Sequence, residues 1–218
     1  MADSIGNGNW LLIDAAGPLS VFGLVGKDGW RDCMTRKGDL IENLQPVLEE
    51  LLARNGTELA DLDGCLYATG PGSTLGLRLS AMFLRTLMAL PPLEHWKCLQ
   101  YHNLSLALAG GCRAQAGVAP WRRDRVHLTS IEPGPPLSFT QGNLSPKEAA
   151  ERALPGFLLG RRPATAGPGI DWQPYPHEHI PERLLQFPEL LQKAPGPTPY
   201  TAEDPEFARW TPRRHAAK

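Results

Sequence analysis

The chain has no histidine before His95, no CxxC pair and no surplus of charge of either sign. With 22 Lys and Arg against 23 Asp and Glu, the formal net charge is −1. That balance argues against a generic polyanion binder while leaving room for local basic patches. The four cysteines, Cys33, Cys65, Cys98 and Cys112, sit beside apolar residues and read as buried free thiols. No apolar run approaches the roughly 18 residues that span a bilayer, and no charged-then-apolar leader opens the chain. The expectation is a soluble, cytoplasmic protein without a membrane partner. Proline, by contrast, is abundant. There are 22, about twice the usual share, and most follow residue 118, which predicts a loop-rich second half.

What is present is organised around Gly70-Pro71-Gly72-Ser73-Thr74-Leu75-Gly76-Leu77-Arg78. The short apolar run Gly64–Ala68 leads into it as a strand, and an apolar periodicity follows it as a helix to Leu90. Glycines bracketing a proline accept crowded or left-handed backbone at little steric cost. Ser73 or Thr74 caps the helix. Leu75, Leu79, Met82 and Phe83 recur at helical spacing, and Pro91-Pro92 ends the element. Such a turn would suit an anion, yet no lysine follows the glycines as in a phosphate-binding P-loop. Nor is the turn a G-x-S-x-G elbow, and Ser73 has no His and Asp in order, so a serine hydrolase is a poor reading.

Upstream, Trp10–Asp14 reads as a buried strand ending in a carboxylate. Ser20–Val25 and Trp30–Met34 form a hairpin over Lys27-Asp28-Gly29. Asp39-x-x-Glu42 has the form of a capping box before a helix with Ile41, Leu44, Leu48, Leu51 and Leu52 on one face, stopped by Gly56. Downstream, Trp96–Gln100 reads as a strand and His102–Ala109 as a helix. Arg125–Ile131 and Leu137–Gln141 read as strands joined by Pro133-Gly134-Pro135-Pro136. Ser145-Pro146-Lys147-Glu148 starts a helix, and Phe157–Gly160 is a further strand. Residues 161–180 read as a long loop, Ile180–Lys193 as a helix kinked near Pro188, and Arg209–Lys218 as a basic tail. His177-Glu178-His179 supplies too few ligands for a metal site, which needs three or four. Arg122-Arg123-Asp124-Arg125 and Arg161-Arg162 are basic clusters of the kind that contact RNA phosphates or simply face solvent.

Gly70-Pro71-Gly72-Ser73-x-x-Gly76-x-Arg78 closely resembles the glycine-loop segment of the TsaB family, also called YeaZ. Leu11–Asp14 resembles the family's opening strand, and Glu42-Asn43-Leu44-x-Pro46 its first helix. Leu59-x-Asp61-Leu62-Asp63-Gly64 resembles the approach to the loop, and Pro199-Tyr200 the family's closing Pro-x-Tyr tail. The resemblance implies an α/β fold of the actin/hexokinase/Hsp70 (RNase H-like) kind. Its first domain would span residues 1–101, and a smaller, divergent, proline-rich domain residues 102–218. It also implies a non-catalytic scaffold without catalytic residues, metal or cofactor of its own. That scaffold would support a TsaD-like catalytic subunit in threonylcarbamoyl modification of an adenosine in tRNA. A TsaE-like ATPase, and ATP with Mg in the assembly, would follow. tRNA would be met only through the complex.

Within that resemblance, the loop and helix would form the contact to TsaD or to a second copy. Gly70, Pro71, Gly72 and Ser73 would shape the loop. Gly72, Gly76, Ser80 and Ala81, interleaved with Leu77 and Leu84, would admit another helix closely, and Arg78 would meet a carboxylate. Asp14 corresponds to the strand-end carboxylate that holds a nucleotide's metal in active members of the superfamily. Here no Gly-x-Thr follows, and Pro18 removes a backbone donor. Leu40 stands where the family has a histidine, and the His-x-x-x-His pair of its catalytic relatives is missing. The second domain's opening, Arg122–His127, lacks the family's leading Asp. The alternatives are a nucleotide-dependent transferase or phosphotransferase of the same superfamily and, further off, a degenerate glycoprotease-like peptidase.

Overall fold

The computed structural model describes residues 5, 8–110, 115–122, 125–132, 134, 137–159 and 169–198. β1 (Trp10–Asp14), β2 (Ser20–Gly26) and β3 (Gly29–Arg36) form an antiparallel meander, with Gly26 opposite Gly29 across the expected tight turn. α1 (Leu40–Asn55) follows. Asp39 caps it by accepting from the Ile41 amide at 2.9 Å, and Gly56 closes it in the left-handed region at φ 55°. Only a residue that tolerates positive φ ends a helix this way cheaply. The buried face of α1 is Leu40, Leu44, Val47, Leu48 and Leu51, and Ile41 is exposed. The expected stripe holds at Leu44, Leu48 and Leu51, and only its start differs, with Leu40 buried in place of Ile41.

β4 (Gly64–Ala68) pairs parallel with β1, and α2 (Thr74–Met88) returns the chain to β5 (Lys97–Tyr101), parallel to β4. Every residue of β1 and β4 is buried, as expected of strands inside a sheet that packs on both faces. α3 (Asn103–Ala109) then leads to the second sheet: β6 (Ala116–Arg122), β7 (Arg125–Glu132) and β8 (Ser138–Leu144), all antiparallel. α4 (Pro146–Glu151) starts with the full Ser145–Glu148 capping box. β9 (Gly156–Leu158) and β10 (Trp172–Pro174) extend that sheet by parallel pairing, and α5 (Ile180–Gln186) precedes β11 (Gln192–Ala194).

The strand orders are β11-β5-β4-β1-β2-β3 and β10-β9-β6-β7-β8. One core lies between the first sheet and α1 and α2. A second joins the two sheets through α3 and α5. Arg183 of α5 ties these last two helices by donating to the Leu106 and Ala107 carbonyls.

In the second half one strand was not foreseen and two expectations are corrected. β6 was not legible, because Gly117 and Pro120 interrupt its pattern; the register shifts beside Pro120 accommodate the proline. β10 occupies part of the expected loop 161–180. The helix expected to Lys193 stops at Gln186, since Phe187 leaves helical geometry before Pro188, and residues 192–194 are a strand on β5. Leucine periodicity cannot tell a short edge strand from a helix's last turn. Arg123, Asp124, Arg161-Arg162, Cys112, Pro199-Tyr200 and the basic tail lie outside the described residues.

Candidate functional site

The carboxyl ends of β1, β4 and β5 meet at Asp14, which is completely buried. One of its oxygens accepts from the Ala16 amide at 2.9 Å. The other accepts from the Tyr101 hydroxyl at 3.0 Å and the Asn103 amide at 2.8 Å. Asn103 reaches onward, accepting from the Gly70 amide at 3.1 Å through its side chain. Its backbone amide donates to the Gly70 carbonyl at 2.9 Å, and its side-chain amide contacts the Tyr175 hydroxyl at 3.3 Å. Burial, with the Asp14 charge behind it, holds both the Tyr101 and Tyr175 hydroxyls well above the ordinary tyrosine range. They stay protonated.

Asp14 is thus a keystone that locks three loops together, with no oxygen open to a ligand. A buried carboxylate is tolerated only when its lone pairs are occupied in this way. The strand-end carboxylate was legible in the sequence; its partners Tyr101 and Asn103 were not, being 87 or more positions away, nor was Tyr175, which meets Asn103 from another sheet's connection. The one available signal was an Asn and a Tyr bracketing a predicted strand-to-helix junction.

The glycine loop packs against the β1–β2 turn. The Ser73 amide donates to the Ala16 carbonyl at 2.8 Å, and the Ser73 hydroxyl caps α2 at the Gly76 amide, 3.2 Å away. Pro71 is buried and follows a cis peptide bond from Gly70. A Cβ on Gly76 would collide with the Ala15 carbonyl, and one on Gly72 with Ala16. The close approach expected at these two glycines is real, but it is made by the chain's own backbone. Leu77, Ser80, Ala81 and Leu84 are likewise buried in the molecule's own core. Their expected role as a contact surface is corrected: the small residues let α2 lie close on β1, and they are consumed there.

The opposite face of α2 is open. Leu75 is 66 % exposed, Met82 60 % and, just past the helix, Leu90 42 %. Leu79 and Phe83 are half-buried between them, and Arg78 and Arg85 flank the stripe from solvent. Arg78 forms no ion pair among the described residues. Beyond the far end of α2, Pro195–Thr198 borders a 430 Å³ groove with Arg85, Met88 and Ala89, anchored by the Thr198 amide on the Tyr67 hydroxyl at 3.0 Å. Among the described residues no three His, Cys, Asp or Glu side chains converge as metal ligands. No helix among them is long and apolar enough to cross a membrane.

Residues 38–90, from the approach to α1 through α2, match the family model described as TsaD: tRNA N6-adenosine threonylcarbamoyltransferase. No curated protein matches the chain in sequence. Among solved structures, YeaZ from Pseudomonas aeruginosa superposes with a TM-score of 0.61 at 18% identity, covering 83% of this chain and 91% of that one. A crystal structure of an uncharacterized protein with similarity to peptidase YEAZ from Pseudomonas aeruginosa gives 0.58 at 19%, covering 84% and 90%. The chain therefore shares the fold of YeaZ, an α/β architecture of two mixed sheets flanked by helices.

Proposed function

We propose that this chain, TsaB-like in fold, is a non-catalytic scaffold of the tRNA threonylcarbamoyladenosine machinery. It docks a TsaD-like catalytic subunit, or a second copy of itself, through the outer face of α2. The observation that carries this reading is the exposed Leu75, Met82 and Leu90 stripe with its flanking arginines. Contiguous exposed apolar surface rimmed by polar residues marks interaction sites. The TsaD-family match over residues 38–90 supports the same machinery.

A catalytic role in the isolated chain is disfavoured by the state of Asp14. Both its oxygens are taken by internal donors, so it is not free to hold a nucleotide's metal. ATP and Mg belong, in this reading, to the assembled complex with its catalytic subunit and a TsaE-like ATPase. The competing reading, a nucleotide-dependent transferase, requires the Asp14 node to open.

The test is sedimentation of the wild-type chain alone and with a TsaD-like subunit, set against Leu75→Asp/Met82→Asp. The reading expects association that the double variant abolishes while remaining folded. A monomer that also ignores the TsaD-like subunit would overturn it. So would a Mg-dependent ATPase activity of the chain alone that Asp14→Asn removes.

A further inference from the structure

Away from α2, a 290 Å³ cavity opens between the two sheets, beyond the carboxyl ends of β4 and β5. Gln100 and Gln192 line it from the first sheet and its edge strand, Thr69 and His102 from the strand ends, and Phe139 and Gln141 from β8. Among the described residues no charged side chain contributes to that lining. Crevices at strand carboxyl ends are where open α/β sheets hold ligands.

The polar groups are oriented by a hydrogen-bond chain. The Tyr67 hydroxyl donates to Gln100 Oε1 at 2.6 Å, which turns Gln100 Nε2 onto Gln192 Oε1 at 3.2 Å. The Gln192 amide nitrogen is left as a donor. The Gln141 side chain has no partner among the described residues, and offers a donor and an acceptor side by side. His102 Nδ1 accepts from the Ser105 amide at 3.1 Å, so the proton of the neutral ring sits on Nε2. The ring stays neutral because burial, and then His127 nearby, push it down to about 3. Phe139 stacks on His102, centroids 4.9 Å apart, and both rings line the cavity.

We propose that this cavity binds an uncharged, flat heteroaromatic ligand of nucleobase to nucleoside size, its edge read by the Gln141 and Gln192 amides and its ring set against the Phe139–His102 pair. Carboxamides pair with base edges carrying adjacent donors and acceptors, and aromatic rings give such ligands a stacking platform. Among the described residues the lining offers a phosphate no Lys or Arg to pair with, so its chemistry differs from that of a nucleotide-phosphate site. It also shares no residue with the α2 face, so failure of the docking reading leaves it standing.

The experiment is titration calorimetry of the full chain with adenosine, uridine and nicotinamide, each to about 5 mM, with AMP as the charged control. At least one neutral ligand should bind, and AMP more weakly than adenosine. Gln141→Leu, at an exposed strand position that leaves folding intact, should weaken binding about tenfold, the effect of one lost hydrogen bond with a desolvated partner. Glu42→Gln, exposed on α1 and outside both the cavity and the α2 face, should leave it unchanged. Absence of heat with all three neutral ligands overturns the proposal. So does AMP binding more tightly than adenosine, or full affinity in Gln141→Leu.

Discussion

The two faces of α2 carry much the same kind of residue and have opposite fates. Inward, Gly76, Leu77, Ser80, Ala81 and Leu84 are buried against β1 and the sheet core. Outward, Leu75, Leu79, Met82 and Phe83 repeat the same helical spacing and remain wholly or partly in solvent. Leucines stand on both faces, and the difference lies in the small residues Gly76, Ser80 and Ala81 set among the inner ones. They let the helix axis approach the sheet, so the face that holds them is taken by the chain itself. The other face has no such small residues, and an apolar surface left over in this way is what a second polypeptide can cover.

The largest effect should come from filling the inner face. Gly76→Leu drives a side chain into the Ala15 carbonyl, which is backbone and cannot swing aside. The expected loss is about 4 kcal/mol, above the usual overpacking range. It would be read as a collapsed thermal midpoint or an insoluble product. A variant that melts like wild type would dissolve the distinction between the faces.

Next is the node that holds the inner face in place. Asp14→Ala orphans the Ala16 amide, the Tyr101 hydroxyl and the Asn103 amide. Denaturant unfolding should show a loss of about 3 kcal/mol. Asp14→Asn should recover part of it, since one oxygen can still accept.

Acid should weaken the interior and spare the outer face. Burial pushes His102 down to about 3 and His127 down to about 4, against about 6.5 in the unfolded chain. The unfolded state therefore binds the extra protons as pH falls below 6.5. Stability that is full above that value drains away toward the folded pKa values. From pH 7.5 to 5.5 each histidine should contribute a loss of about 1.4 kcal/mol. His127→Gln should flatten the slope by its share. An unfolding free energy independent of pH across that interval would contradict the buried, neutral placement of both rings.

The smallest effect on stability, and the sharpest on association, is expected outside. Leu75→Asp and Met82→Asp should each shift stability by no more than about 0.5 kcal/mol, as exposed positions do, while removing association in sedimentation. Arg78→Ala should weaken association by less, because a rim charge contributes mainly to encounter and register.

Several elements could be read from local chemistry because local chemistry decides them. The hairpin over Lys27-Asp28, the Gly56 stop of α1, the Ser73 cap of α2 and the Ser145–Glu148 box each involve residues within a few positions of one another. The glycine-loop motif and its flanking strand and helix were legible for the same reason, and with them the α/β class. Tertiary structure alone decided the rest. Which face of α2 is spent internally depends on where β1 passes, and periodicity marks a face without naming its neighbour. The closure of Asp14 depends on Tyr101, Asn103 and Tyr175, brought to it by the parallel order of β1, β4 and β5 and by a connection from the second sheet. The edge strand β11 and the glutamine-lined cavity exist only because residues 192–194 return to β5. A three-residue strand has too few positions to show a period, so its pairing is determined by the edge it finds rather than by its own sequence.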